Sequence, residues 1–340
     1  MNVRDSLLIA SPTDLGNFLA CRHKTALDSE AARGLRQKPM YVDPLAAVLR
    51  QRGQEHEDRY VATLKADGLI VVDLTVDRGA APRPANEHLI ARTVSAMRAG
   101  ADIIVQAPLG DSQWFGYADV LVRVNVPSPN LGAWSYEVHD TKLSRETRAT
   151  AILQLCVYTE LLAAIQGNTP EHFHVVTPAA SHIYRFDEVA AYYRLVKAKF
   201  LAAIASPDGT PTYPDPVEHC GVCRWWQVCD TRRRADDHLQ FVANLSRVHK
   251  RELEPLGVTT LAALAKWDAP KSFVKLQDQA ALQLDARETG RPRFKVLPVE
   301  PHVAEDGTPL PRRGLKRLPA PLWAARPAKG RASISSGLAG

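Results

Sequence analysis

Cys220, Cys223 and Cys229 crowd into one short stretch, HCGVCRWWQVC, as a CxxC pair followed closely by a third thiol. No other feature constrains the chain as strongly. Three thiolates at this spacing gather around one centre, as iron-sulfur and zinc sites require. Of the remaining cysteines, Cys21 is the plausible fourth partner, although it lies far upstream. Cys156 reads differently, because the apolar run AILQLCVYTELL around it suits a buried, unreactive thiol. Zinc sites usually combine two short cysteine pairs, so a remote cysteine joined to a close triplet fits an iron-sulfur centre better. Either metal would tie the first helix of the chain to the far end of the same domain.

At 340 residues, 45% of them hydrophobic and 24% charged, the chain has the balance of a globular protein of one to three domains. Its formal charge of +6 favours a polyanionic partner without requiring one. Apolar runs fall short of the roughly 18 residues that span a bilayer. The early SLLIA is soon interrupted by Asp14, which argues against a secretory signal. No membrane partner is expected, and the cytoplasm is the default location.

Periodicity organises the rest. In SPTDLGNFLACR, Ser11, Pro12 and Asp14 have the order of a capped helix start, which places Cys21 near the end of a short helix. Residues 44–66 carry apolar side chains at helical spacing around Gly53, with His56 among them. Strand-like stretches follow at 69–74, 102–109, 114–126 and 134–143. A helix at about 148–166, strands in HFHVVTP and HIYRF, and a helix at about 187–204 complete the series before Pro-rich PDGTPTYPDP. Residues 1–235 therefore read as an α/β domain with a mixed central sheet flanked by helices. Residues 236–290 read as a small helical segment, in which HKRELEPLGVTTLAALA runs helix, glycine turn, helix. That is the pattern of a helix-hairpin-helix module, and also of an ordinary chain reversal. Residues 291–340, rich in Pro, Arg, Gly and Ser, are expected to be mostly irregular or disordered.

The chemistry concentrates in YEVHDTK. Strand alternation puts Tyr136, Val138, Asp140 and Lys142 on one face, so a carboxylate and an ammonium project side by side. GYADVLV supplies a second carboxylate, Asp119, across a hairpin-like stretch containing PSPNLG. Two antiparallel neighbours would bring both acids together, and clustered carboxylates suit Mg²⁺ or Mn²⁺. The lysine can then position water or offset charge developing on phosphorus. Gln154 and Tyr158 share a face of the next helix, and His56 offers an imidazole to the metal. Glu137 is a rival to Asp140 if the strand is bulged.

The ordered set His56, Asp119, Asp140 and Lys142, Gln154 and Tyr158 resembles the RecB-like branch of the PD-(D/E)XK nuclease superfamily over roughly residues 8–235. The cysteine layout is similar to the iron-sulfur clasp of AddB-type and CRISPR-adaptation nucleases. The resemblance implies a restriction-endonuclease-like core. It implies His56, Asp119 and Asp140 as metal ligands, Lys142 as catalytic lysine, and Gln154 and Tyr158 as the Gln-Tyr motif. It makes Cys21, Cys220, Cys223 and Cys229 the ligands of a 4Fe-4S cluster. The activity implied is metal-dependent hydrolysis of DNA, exonuclease-like on single-stranded or end-bearing substrates, in repair or recombination. A DNA-binding module with little cleavage of its own is the alternative. A third reading, a redox or metal-sensing protein, leaves the ordered acids unexplained. The chain is most similar to the amino-terminal region of bacterial RecB-like proteins that continue, after a Leu-Pro-Ala-Pro-like linker, towards a helicase. Here GLKRLPAP is followed by none of that continuation, which makes a helicase an external partner or a missing domain.

Overall fold

The chain opens with a short antiparallel pair, β1 (Asn2–Arg4) and β2 (Leu7–Ile9), followed by helices α1 (Pro12–Ala20), α2 (Arg22–Ala32) and α3 (Pro44–Ala66). Strand β3 (Val71–Asp73) and helix α4 (Asn86–Arg98) lead into a meander of β4 (Ile103–Gly110), β5 (Phe115–Val124) and β6 (Ser135–Thr141). Helix α5 (Ala149–Gln166) then carries the chain to β7 (His172–Val176), β8 (Ser181–Arg185) and α6 (Phe186–Ala205). The last elements are α7 (Trp226–Ala235), α8 (Arg247–Leu253), α9 (Leu261–Lys266) and α10 (Val274–Thr289). The computed structural model describes residues 1–4, 7–40, 44–66, 68–76, 84–205 and 211–295. The expectation for the tail therefore falls, from 296 onward, outside the described residues.

Strands β3 to β8 form one six-stranded sheet in sequence order. The β3–β4 and β6–β7 pairs are parallel, and the other three are antiparallel. This is the expected α/β arrangement, a mixed sheet flanked by helices. On one face Leu109, Leu121, Tyr136, Val138 and Phe173 pack against the apolar sides of α1, α5 and α6, including Leu15, Leu155, Leu162 and Phe200. On the other face Ile103, Val105 and Val120 lie under Val61 of α3, with Tyr60 and Leu64 alongside. Helix α5 is central because it is apolar nearly all round, as a helix enclosed by its own fold must be. By length and composition it is apolar enough to cross a membrane, which the run-based reading overlooked, yet 56% of it is buried inside the domain.

The helix start at Ser11 forms as expected, with Asp14 accepting the Ser11 backbone N–H at 2.8 Å. Two helices are not announced by the pattern. Helix α2 turns Thr25, Asp28 and Ser29 inward beside a single buried leucine, Leu27, so its buried face is mostly polar and gives no apolar period. Helix α4 buries only Leu89, Thr93 and Met97, a thin stripe.

Residues 236–290 build a separate small core from Leu239, Leu253, Leu261, Leu264, Leu276 and Ala280. Gly257, with φ of 77°, turns the chain after α8, and the Thr260 hydroxyl caps α9 by accepting the Ala263 N–H at 3.0 Å. The expected helix, glycine turn and helix are present.

Candidate active site

Strands β5 and β6 pair from Val124↔Ser135 as far as Val120↔His139, where the ladder ends. Beyond that point Asp119 Oδ2 accepts the Thr141 backbone N–H at 2.9 Å and approaches the Thr141 hydroxyl at 3.2 Å. A side chain thus takes over from the backbone, and the strands part where the two acids stand. Asp140 is only 2% exposed, and it directly precedes Thr141, the residue that Asp119 holds. The two acids thus stand at the same end of the β5–β6 pair, Asp119 bonded to Thr141 and Asp140 next to it in the chain.

Lys142 Nζ is 2.5 Å from Asp140 Oδ2. The two are ion-paired, which places the ammonium directly on the buried carboxylate. Burial first, and the neighbouring charge of Asp119 second, push the Asp140 carboxyl up to about 7. Burial acts to lower the Lys142 pKa, but Asp140 and Asp119 outweigh it and raise the ammonium above its ordinary value. The site therefore sets two carboxylates beside one fixed cation. That donor set fits a hard divalent ion.

The flanking groups are placed unequally. Gln154 Nε2 makes a long approach of 3.5 Å to Asp140 Oδ1. Tyr158 is buried, and its hydroxyl donates to the Tyr117 carbonyl at 2.7 Å. It steadies β5 two residues before Asp119. Gly116 makes this possible, since a Cβ there would stand 2.7 Å from both the Tyr158 hydroxyl and Pro12. His56 is buried on α3, with Nε2 3.0 Å from the Val176 carbonyl. A carbonyl only accepts, so Nε2 carries a proton.

Two further residues escape the sequence reading. Glu57, next to His56, lines the open cleft shared by Asp119, Tyr117, Thr141 and Arg50. Burial, then the charge on Asp119, raise its carboxyl to about 7. Gln106 lines the same cleft and donates to Glu57 Oε1 at 2.6 Å. A signal exists for Gln106, which is the polar interruption in IIVQAPL.

Glu137 takes the other side of β6. It accepts the His172 backbone N–H at 3.2 Å and lies 3.0 Å from His174 Nε2. His174 stacks on His139, whose ring meets the Tyr60 hydroxyl at 2.7 Å. Burial, with the neighbouring His174, depresses the His139 pKa to about 3 and keeps the ring neutral. Glu137 is therefore occupied by this histidine group on the α3 side of the strand.

Cys21, Cys220, Cys223 and Cys229 line a single small cavity together with Lys24, His219 and Trp225. None is in a disulfide. Cys21 sits between α1 and α2, where its sulfur accepts the Lys24 N–H at 3.3 Å. Cys220 sulfur accepts the Val217 N–H at 3.4 Å. Burial raises the Cys223 thiol, and burial with the adjacent Cys223 raises Cys229 to about 11. Trp225 donates to Asp28 Oδ1 of α2 at 2.9 Å and so joins the cysteine segment to the N-terminal helices. Four soft donors gathered on two distant segments fit an iron-sulfur or zinc centre. As placed, no three His, Cys, Asp or Glu side chains among the described residues, at the cysteines or at the acids, make a group that could hold a metal ion. Cys156 is fully buried in α5, where burial pushes its thiol up to about 12.

Neither protein-family models nor curated proteins match this chain.

Proposed function

We propose that this chain is a divalent-metal-dependent nuclease that hydrolyses phosphodiester bonds in DNA, acting on single-stranded or end-bearing substrates. The observation that carries this reading is that Asp119 on β5 holds Thr141, next to Asp140 on β6, while Lys142 contacts Asp140. A restriction-endonuclease-like core of the RecB-like branch is the fold reading consistent with the mixed sheet and with the motif order. Asp119 and Asp140 would hold Mg²⁺ or Mn²⁺, with His56 contributing its Nδ1. When bound, such an ion supplies Lewis-acid chemistry to a phosphoryl oxygen.

The chain's own residues account for the remaining roles. Lys142 keeps its proton because Asp140 and Asp119 favour the charged form, so it serves as a fixed positive charge near the reacting phosphate. Gln154 approaches Asp140 from α5, and Tyr158 anchors β5, which together hold the acids at a set spacing. Arg50 at the cleft offers a cation to the polyanionic strand. The four cysteines are read as a structural iron-sulfur clasp, and the cytoplasm as the place of action, with a helicase as an external partner or a further domain.

End-labelled single-stranded and duplex DNA incubated with Mg²⁺ or Mn²⁺ tests the reading. Time-dependent shortening by the wild type, lost in Asp140→Ala, is expected. Intact DNA with the wild type, or equal cutting by Asp140→Ala, overturns it.

A further inference from the structure

Strands β4 and β5 keep one register along their whole length, pairing Val105 with Val120 and Ala107 with Ala118. Between these pairs Gln106 faces Asp119, and neither joins the ladder. Gln106 has φ of 49°, in the left-handed region. The side-chain alternation reverses there. Ile103 and Val105 lie under α3, whereas Ala107 and Leu109 point into the main core. The same reversal occurs on β5, where Ala118 faces the main core and Val120 faces α3. A left-handed glutamine costs on the order of 1 kcal/mol, and glycine would adopt the conformation freely. The backbone alone gives no reason for a side chain here.

The side chain does. The Gln106 amide reaches α3 and donates to Glu57 Oε1 at 2.6 Å, in the cleft that Asp119 also lines. We propose that Gln106 is a positioning residue that holds the Glu57 carboxylate in the acid cluster, making Glu57 a third acidic arm of the cation site beside Asp119 and Asp140. Gln106 touches neither Asp119 nor Asp140 through a hydrogen bond of its own and acts through Glu57. The proposal depends on the nuclease reading for the cluster's role as a cation site.

The test uses Mn²⁺ alone, titrated into the full chain without DNA and followed by the electron paramagnetic resonance of free ion. Gln106→Gly permits the same backbone φ while deleting the amide, and thermal unfolding confirms that it folds. Gln106→Gly is expected to weaken Mn²⁺ binding by about tenfold, the scale at which lost outer partners affect metal sites. Glu57→Gln should weaken it at least as much. The double variant should be no weaker than Glu57→Gln alone, because the amide acts only through that carboxylate. Wild-type affinity in Gln106→Gly, or losses that simply add in the double variant, overturns the positioning role and leaves the nuclease reading intact. A wild-type chain that takes up no Mn²⁺ overturns both.

Discussion

Asp119 Oδ2 accepts the Thr141 backbone N–H at 2.9 Å, so the carboxylate that faces Asp140 also closes the open end of the β5–β6 ladder. Two consequences separate by substitution. Asp119→Ala removes the acceptor and strands a partly buried N–H, at a cost of about 1–3 kcal/mol. Asp119→Asn keeps an oxygen there and removes the charge. Calorimetry should show a clear loss of stability for Asp119→Ala and little for Asp119→Asn, while both lose DNA cleavage by at least about a hundredfold. Wild-type cutting by Asp119→Asn would remove that charge from the chemistry.

The raised carboxyls make metal-free stability depend on pH in a definite direction. Asp140 titrates at about 7 in the fold against an ordinary value of 3.8, and Glu57 at about 7 against 4.5. As pH rises from about 4 to about 7, the unfolded chain releases these protons before the folded chain does, and stability falls. It is fully present below the unfolded values and lost by the folded ones. Melting temperatures in chelator should decline across this window, with a shallower decline in Asp140→Asn. At neutral pH Asp140→Asn should melt higher than the wild type. An identical slope in both proteins would refute this account of the buried acid.

Lys142 bears on catalysis more than on folding. Its ammonium contacts Asp140, but the side chain is 31% exposed, so removing it leaves no sealed cavity. Lys142→Met should stay folded and still take up Mn²⁺, yet cut DNA at least a hundredfold more slowly, on the scale of a lost electrostatic or proton-transfer partner. Gel assays of cleavage alongside Mn²⁺ titration check the split, and loss of both together would assign the lysine to ion binding.

Much of this arrangement is written in local pattern. Tyr136, Val138 and Asp140 alternate along β6 as a strand must, and the apolar run around Leu155 makes α5 a core helix. Cysteines are few, so the link between Cys21 and the triplet could be read without a structure. Gln106 could not be read this way. It shows only as the polar break in IIVQAPL, which gives neither its left-handed backbone nor its bond to Glu57, a residue far off in sequence. Helix α2 stayed silent for a different reason, since its inward Asp28 finds Lys24 and Trp225 in place of apolar neighbours. Pattern reports apolar burial, and both omissions lie where polar groups are buried in pairs.

The cysteine cavity yields the last prediction. Burial holds Cys223 and Cys229 as thiols, so a metal that binds them must displace protons and should be held less well as pH falls. Such a centre joins the α1–α2 junction at Cys21 to residues 220–229, and the Trp225–Asp28 bond at 2.9 Å spans the same seam. Cys223→Ser should lose bound metal, any visible absorption and thermal stability together. Trp225→Phe should keep the metal and lose about 1–3 kcal/mol through the unsatisfied Asp28 oxygen. Cys156→Ser should keep the metal, because its fully buried thiol lies in the core of α5. Metal analysis paired with melting curves distinguishes the three, and a Cys223→Ser protein as stable and as metal-rich as the wild type would leave the seam without a clasp.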